Sequence, residues 1–94
     1  MNKFWVANYP AGVPAEIDID EYASLRDAVD ETFEKYPTRP AFTCMGRSLT
    51  FRDLDVLSAA FGAWLQGQGL AKGARVALMM PNILQHPVGL FGTL

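Results

Sequence analysis

Apolar residues recur at the spacing of one helix face in two stretches of the chain. The first predicted helix begins at Ser24, which with Asp27 resembles a capping box, although Asp replaces the usual Glu or Gln. It ends at Tyr36, because the residue before a proline is kept out of the helical conformation. Acidic residues occupy its outer face, and its inner face consists of Leu25, Ala28, Val29, Thr32, Phe33 and Tyr36.

The second predicted helix follows Thr50, which pairs with Asp53 in another near-capping box. Gly67 and Gly69 are expected to end it. The residues expected in its buried stripe are Leu54, Leu57, Ser58, Ala60, Phe61, Trp64 and Leu65.

A short hairpin is predicted between these two helices. Residues 41–45 have the composition of a strand, and residues 48–50 form the returning strand. Gly46 and Arg47 are expected to form the turn.

The segment 74–80 contains a continuous apolar run from position 76. Strict alternation would indicate a strand with one wet face, whereas a continuous run is typical of a parallel strand covered on both faces. Pro81 and Asn82 are expected to end this strand, and a final helix follows. His86 and Pro87 indicate either that a first turn ends near His86, with Pro87 opening the next helix, or that the helix is kinked.

The predicted order of elements is helix, hairpin, helix, buried strand and helix. This order is that of the opening of a layered α/β domain. The chain reaches Leu94 while its residues are still apolar, with no basic last turn and no following strand. We therefore expect an N-terminal fragment of an α/β domain that is incomplete at its C-terminus, with residues 24–94 forming a partial subdomain.

Residues 1–23 are predicted to form an irregular arm, because Pro10, Gly12 and Pro14 interrupt any periodicity. An apolar cluster in this arm is expected to lie in a groove of its own protein. A lipid interface is the alternative, although Lys3 is the only cation nearby and would bind lipid weakly. The cluster consists of Phe4, Trp5, Val6 and Tyr9.

Composition excludes several classes of protein. Half of the 94 residues are apolar, the net charge is −2 and no basic stripe is present, so nucleic-acid binding is not expected. The single cysteine, Cys44, rules out an intramolecular disulfide. The first residues lack the pattern of a signal peptide, and no apolar run approaches the roughly 20 residues of a membrane-spanning helix. The cytoplasm is the expected compartment.

Few residues of the chain suggest chemistry. The glycine-rich stretch 67–73 follows a helix and precedes a strand, which is the reverse of a phosphate-binding loop, so we interpret it as a connector. His86 has no partner for catalysis or metal binding nearby, and Cys44 is interpreted as a small core residue. Met79 and Met80 could line an acyl pocket, but core packing is favoured. No catalytic, cofactor-binding or metal-binding residue is therefore assigned.

Three stretches together resemble the N-terminus of bacterial long-chain fatty-acid–CoA ligases, which are adenylate-forming acyl-CoA synthetases. The most specific is the arm at 3–18. The others are 36–42 with 49–54, and 70–82 with 85–88. The resemblance covers the whole chain in order.

The resemblance implies a two-step reaction for the parent protein. A long-chain fatty acid attacks ATP to give an acyl-adenylate, and coenzyme A then takes the acyl group. ATP, magnesium and coenzyme A are thus implied for the parent, but the family's catalytic motifs lie downstream of the matching region. No cofactor is expected to bind this segment, whose expected partner is the remainder of the ligase chain.

Two other hypotheses are a stand-alone binding or regulatory module derived from such a ligase, and a small enzyme. The resemblance also implies possible peripheral contact with the inner face of the membrane, since the fatty acid arrives from the bilayer.

Overall fold

The computed structural model describes residues 2–94 and shows three α-helices and one hairpin. The α/β class is confirmed. Met1, part of the expected arm 1–23, lies outside the described residues. After a 3-10 turn at Phe4–Asn8, the elements are α1 (Leu25–Lys35), β1 (Pro40–Cys44), β2 (Arg47–Thr50), α2 (Phe51–Gly67) and α3 (Gln85–Thr93).

Both predicted helix N-termini are confirmed. The Ser24 hydroxyl accepts a hydrogen bond from the Asp27 amide at 3.1 Å. At α2 the box is reciprocal, because Thr50 Oγ1 accepts from the Asp53 amide at 3.1 Å and the Asp53 carboxylate accepts from the Thr50 amide at 3.0 Å. This carboxylate lies in the first turn, where the helix dipole also favours negative charge.

The first two amides of α2 also have main-chain partners. Phe51 donates to the carbonyl of Arg39 at 3.0 Å, and Arg52 donates to the carbonyl of Pro37 at 2.9 Å. Helix N-termini ordinarily leave these groups without partners. The start of α2 is therefore fixed to the connection between α1 and β1.

The hairpin is confirmed, but the expected turn is wrong by one residue. Cys44 pairs with Arg47, so the two-residue turn is Met45 and Gly46, and both have positive φ, at 51° and 77°. Positive φ at both positions matches the right-handed twist of the flanking strands. Hairpin geometry thus overrides the reluctance of Met to adopt a left-handed conformation.

The core is small and aromatic. Its buried large hydrophobic side chains within residues 2–94 are Phe33 of α1 and Leu54 of α2, at 8% and 1% exposure. The ring of Phe33 lies 6.5 Å from that of Phe51 and 6.4 Å from that of Phe91. Phe42 of β1 lies 6.3 Å from Phe91, so one cluster joins α1, the hairpin, α2 and α3.

The predicted buried stripe of α2 is partly wrong. Leu57 and Trp64 are 45% and 58% exposed, and Ala60 is also exposed. The covered side instead follows the narrower repeat Leu54, Ser58, Phe61 and Leu65. The predicted stripe was too wide because α1 and α3 cover one side of α2, and within residues 2–94 no other element covers the next side. Leu25 of α1 is likewise 64% exposed rather than buried.

Helices α2 and α3 cross in close contact at two glycines. A Cβ on Gly92 would lie 2.7 Å from the Ser58 carbonyl oxygen and 2.8 Å from Cδ1 of Phe61. A Cβ on Gly62 would lie 2.9 Å from the Gly92 carbonyl oxygen. This approach is possible only because neither residue carries a side chain.

Helix α3 begins at Gln85, so the expectation that Pro87 opens the helix is wrong. Pro87 is the third residue of α3 and is buried. In the first turn a proline is tolerated, since its missing N–H has no partner within the helix. The preceding turn includes a hydrogen bond from the His86 amide to the Ile83 carbonyl at 3.1 Å.

The expected buried strand at 74–80 is not formed within residues 2–94. The segment has neither helical nor strand hydrogen bonding. Val76, Leu78 and Met80 are half-buried, whereas Arg75, Ala77 and Met79 are exposed. The hairpin is the only sheet in the described part of the chain, so no neighbouring strand is present to pair with this segment.

The N-terminal arm is irregular apart from its 3-10 turn, and its apolar cluster is not packed against the core. Phe4 is 75% exposed and meets Trp5 edge to face, with ring centroids 5.4 Å apart. An exposed ion pair between Lys3 and Glu16 folds the arm back on itself. Tyr22, near the end of the arm, has its pKa raised mainly by a hydrogen bond with Glu31 of α1.

Candidate interaction surface

The structure brings no group of catalytic or metal-binding side chains together among residues 2–94. No cluster of three or more His, Cys, Asp and Glu residues suited to a metal ion occurs in this range. His86 is half-buried in the first turn of α3. Cys44 ends β1 and donates from Sγ to the carbonyl of Asn82 at 3.6 Å. Asn82 precedes Ile83, whose carbonyl accepts from the His86 amide, so Cys44 lies against the turn that leads into α3.

The N-terminus of α2 is poorly suited to a nucleotide phosphate. The amides of Phe51 and Arg52 already have carbonyl partners, and that of Asp53 is bonded to Thr50, so the N-terminus of α2 offers few free donors. The Asp53 carboxylate adds negative charge there. Its pKa is lowered, mainly by the hydrogen bond from the Thr50 amide. The stretch 67–73 connects the end of α2 to the 74–80 segment, as the sequence indicated.

Exposed apolar side chains are the main feature of this molecule. Val56, Leu57 and Trp64 lie on one side of α2, at 62%, 45% and 58% exposure. The positions 56, 60 and 64 are four residues apart, so they share a helix face. Trp64 stacks on Phe61, with centroids 5.9 Å apart. This face, called here the outer α2 face, has no cover within residues 2–94.

A second bare surface is the outer side of the segment 74–80. Met79 is 97% exposed, whereas the side chains of Leu78 and Met80 pack against α3 at Gly89. The expected core packing is therefore wrong for Met79, whereas Met80 is half-buried. Arg75 and Ala77 are exposed on the same side as Met79, so this surface is apolar only in part.

A cleft of about 560 Å³ lies between α1, α2 and the end of α3. Phe33, Ser58 and Gly62 contribute to its lining, as does Phe91. Charged side chains also border it, including Arg26 and Lys72. The cleft reaches the core of the molecule, so the core itself is incompletely covered.

The described residues include no helix with the length and apolar character needed to span a membrane.

Comparison with known proteins gives these surfaces a context. A family model described as "AMP-binding enzyme" matches residues 29–94. The chain belongs to this family. It is 55% identical, over its whole length, to proteins named long-chain-fatty-acid–CoA ligase from Yersinia pestis and from Escherichia coli O6:H1. A Bacillus subtilis protein of the same name is 34% identical over 98% of the chain. No solved structure matches the chain.

The chain spans only 17% of the length of the Yersinia and Escherichia relatives. The match thus corresponds to a fragment of such an enzyme. Its bare apolar surfaces are consistent with a piece that has neighbours in a longer chain.

The outer α2 face was missed as a surface in the sequence. Its residues have the same helical spacing as the covered stripe, so periodicity alone cannot separate the two. The width of the apolar face of α2 could have revealed it. A face that extends from Leu54 round to Trp64 is wider than two neighbouring helices can cover.

Proposed function

We propose that this chain is a non-catalytic structural part of a long-chain fatty-acid–CoA ligase. The observation that carries the proposal is the combination of 55% identity over the full chain with large uncovered apolar faces. The parent protein would join a long-chain fatty acid to coenzyme A through an acyl-adenylate. ATP, magnesium and coenzyme A would bind to the remainder of the ligase, which is also this chain's main partner.

We propose two parts within the chain, with the boundary first inferred from the sequence. Residues 1–23 form the arm, and residues 24–94 form a partial subdomain of the AMP-binding domain. The exposure of the described part of the arm supports this division, because Val6 alone among residues 2–23 is half-buried. The parent would be cytoplasmic, with possible peripheral contact at the inner face of the membrane.

The arm is proposed to pack on protein rather than on lipid. Its described part carries four carboxylates, at Glu16, Asp18, Asp20 and Glu21, against Lys3. Anionic lipid surfaces attract basic segments and repel acidic ones. The exposed Phe4 therefore more readily meets an apolar groove of the ligase than an anionic bilayer.

A chimera tests the proposed function. In it, this chain replaces the matching region of the Escherichia coli O6:H1 relative, and acyl-CoA formation is measured with ATP, magnesium, coenzyme A and palmitate. We expect the chimera to be active, a ligase with this region deleted to be inactive, and the 94-residue chain alone to form no acyl-CoA. Turnover by the chain alone, or an inactive chimera, would contradict the proposal.

A further inference from the structure

We propose that the outer α2 face is a lipid contact, through which the ligase binds the surface of an uncharged phospholipid bilayer. The inference rests on the proposed function, since a long-chain fatty acid dissolves in the bilayer, and it deepens that function by assigning the contact to one helix. The cleft and the segment 74–80 are left to the remainder of the ligase.

The outer α2 face differs in charge from the exposed side of α1. None of residues 56–71 is charged. The exposed side of α1 is charged, as solvated helix faces ordinarily are. Its exposed carboxylates are those of Asp27, Asp30, Glu31 and Glu34. The two helices of one chain therefore suit different surroundings, which are water for α1 and an apolar medium for the outer α2 face.

The outer α2 face is too small for a stable protein interface. Val56, Leu57 and Trp64 together expose roughly 300 Å² of apolar surface, given that a whole aromatic side chain covers about 150–250 Å². A stable interface takes about 800 Å² from each partner and has a polar rim with hydrogen bonds. The indole N–H of Trp64 is the one polar side-chain group on this face, so a protein partner would have little to recognise.

The shape and chemistry of the face match a lipid surface. The face belongs to a helix, whose main chain is hydrogen-bonded internally, so it is convex and offers no open backbone groups to a partner. A helix with one apolar side can lie in the plane of a bilayer surface without a complementary pocket. Tryptophan is typical of the membrane–water boundary, because its ring is apolar while its N–H stays hydrated.

The C-terminal half of α2 is the part expected to enter the lipid. Asp53 lies about 16 Å before Trp64 along the helix, at 1.5 Å per residue, and its carboxylate is bonded to the Thr50 amide. This charge can therefore remain in water while Trp64 enters the boundary. The next cations along the chain are Lys72 and Arg75. Since the face itself is uncharged, we expect it to bind neutral lipid with little dependence on salt.

Tryptophan fluorescence of the full 94-residue chain tests the inference. The chain has two tryptophans, of which Trp64 lies on the outer α2 face and Trp5 on the arm. Trp5→Phe leaves Trp64 as the reporter, and Trp64→Phe leaves Trp5. Each variant is mixed with phosphatidylcholine vesicles whose acyl chains carry bromine, which quenches a tryptophan only at close approach. We expect about twofold quenching of Trp64 and no quenching of Trp5.

Two substitutions of equal charge provide a matched comparison in the chimera with the Escherichia coli relative. Val56 on α2 and Leu25 on α1 are 62% and 64% exposed. We expect Val56→Glu to lower binding of the chimera to phosphatidylcholine vesicles on the order of tenfold, and Leu25→Glu to lower it by less than about twofold. Both variants should keep the melting temperature of the chimera, because neither site is buried.

Several results would overturn the lipid contact. One is a Trp64 that the brominated lipid does not quench, and another is quenching of Trp5 in its place. Quenching that requires anionic lipid and disappears at high salt would place the contact on a charged surface instead. Equal vesicle binding by the two chimera variants, or a melting temperature lowered by Val56→Glu alone, would show that the ligase itself covers the face.

The proposed function is judged separately, by acyl-CoA formation. An active chimera without the lipid contact would overturn this inference and leave the proposed function standing. An inactive chimera that binds vesicles through the outer α2 face would contradict the proposed function and support the contact.

Discussion

The close crossing of α2 and α3 makes Gly92→Ala a sharp test of the packing. The new Cβ would lie 2.7 Å from the Ser58 carbonyl oxygen and 2.8 Å from Cδ1 of Phe61. A carbon atom normally lies about 3.3 Å or more from a carbonyl oxygen. The helices must therefore separate by roughly 0.6 Å, because the nearer obstacle is the Ser58 carbonyl oxygen, a backbone atom that no side-chain rotation can move.

Two opposing effects set the magnitude for Gly92→Ala. Overpacking in a tight contact costs about 1–3 kcal/mol. Replacing glycine by alanine within a helix returns up to about 1 kcal/mol. We expect a net loss of about 1–2 kcal/mol, since the contact is with main-chain atoms and Gly92 lies near the end of α3, where the helical gain is reduced.

Gly67→Ala provides the control, because Gly67 is also helical and a Cβ added there would have no neighbouring atom within 4 Å. We expect this variant to be equal to or slightly more stable than the original chain. Urea unfolding is followed by far-ultraviolet circular dichroism, with trimethylamine N-oxide added to strengthen the folded state. If the unfolding free energy falls by about 1 kcal/mol per M of urea, the urea concentration at the unfolding midpoint should be about 1–2 M lower for Gly92→Ala. Equal midpoints for the two variants would refute the described helix crossing.

In the same urea assay, Leu54→Ala should lower the unfolding free energy by about 2–5 kcal/mol, and Thr50→Ala by about 1 kcal/mol. A larger loss of stability for Thr50→Ala than for Leu54→Ala would show that the buried face of α2 is wrongly assigned. The pKa of Asp53 is lowered in the folded chain, so its stabilising effect is present above the unfolded pKa near 3.8 and is lost as pH falls through the folded value. Asp53→Asn should therefore reduce the loss of stability on acidification, measured as the urea midpoint between pH 6 and pH 2.5, and an unchanged acid dependence would count against the capping box. The isolated chain should self-associate through its exposed apolar faces, so that its mass measured by light scattering rises with concentration. The double variant Leu57→Glu, Trp64→Glu should show a smaller rise. A chain that is monomeric at all concentrations would contradict this.

The local signals of the sequence predicted the elements well. Ser24 and Thr50 mark the first residues of two helices because their hydroxyls satisfy nearby amides, and this chemistry depends on only three or four consecutive residues. The end of α1 at Lys35, just before Tyr36 and Pro37, and the end of α2 at Gly67 follow from local backbone restrictions in the same way. These signals lie within short stretches of sequence, so they could be interpreted without the tertiary structure.

The features that depend on distant chain segments were less predictable. Leu57 and Trp64 have the spacing of core residues, but their exposure depends on which elements pack against α2. The segment 74–80 has a strand's composition, yet a strand needs a hydrogen-bonding neighbour that residues 2–94 do not contain. The Gly62–Gly92 contact likewise depends on how two helices meet, and neither glycine has a local signature.

The direct passage from β2 to α2 limits where the chain tolerates added residues. Thr50 is both the last residue of the strand and the cap of the helix, and the two amides that follow it are bonded to the carbonyls of Arg39 and Pro37. An insertion between positions 50 and 51 would disconnect all of these bonds at once. The hairpin tip at Met45 is open to solvent, so an affinity tag, a fluorophore or new chain termini would be accommodated there.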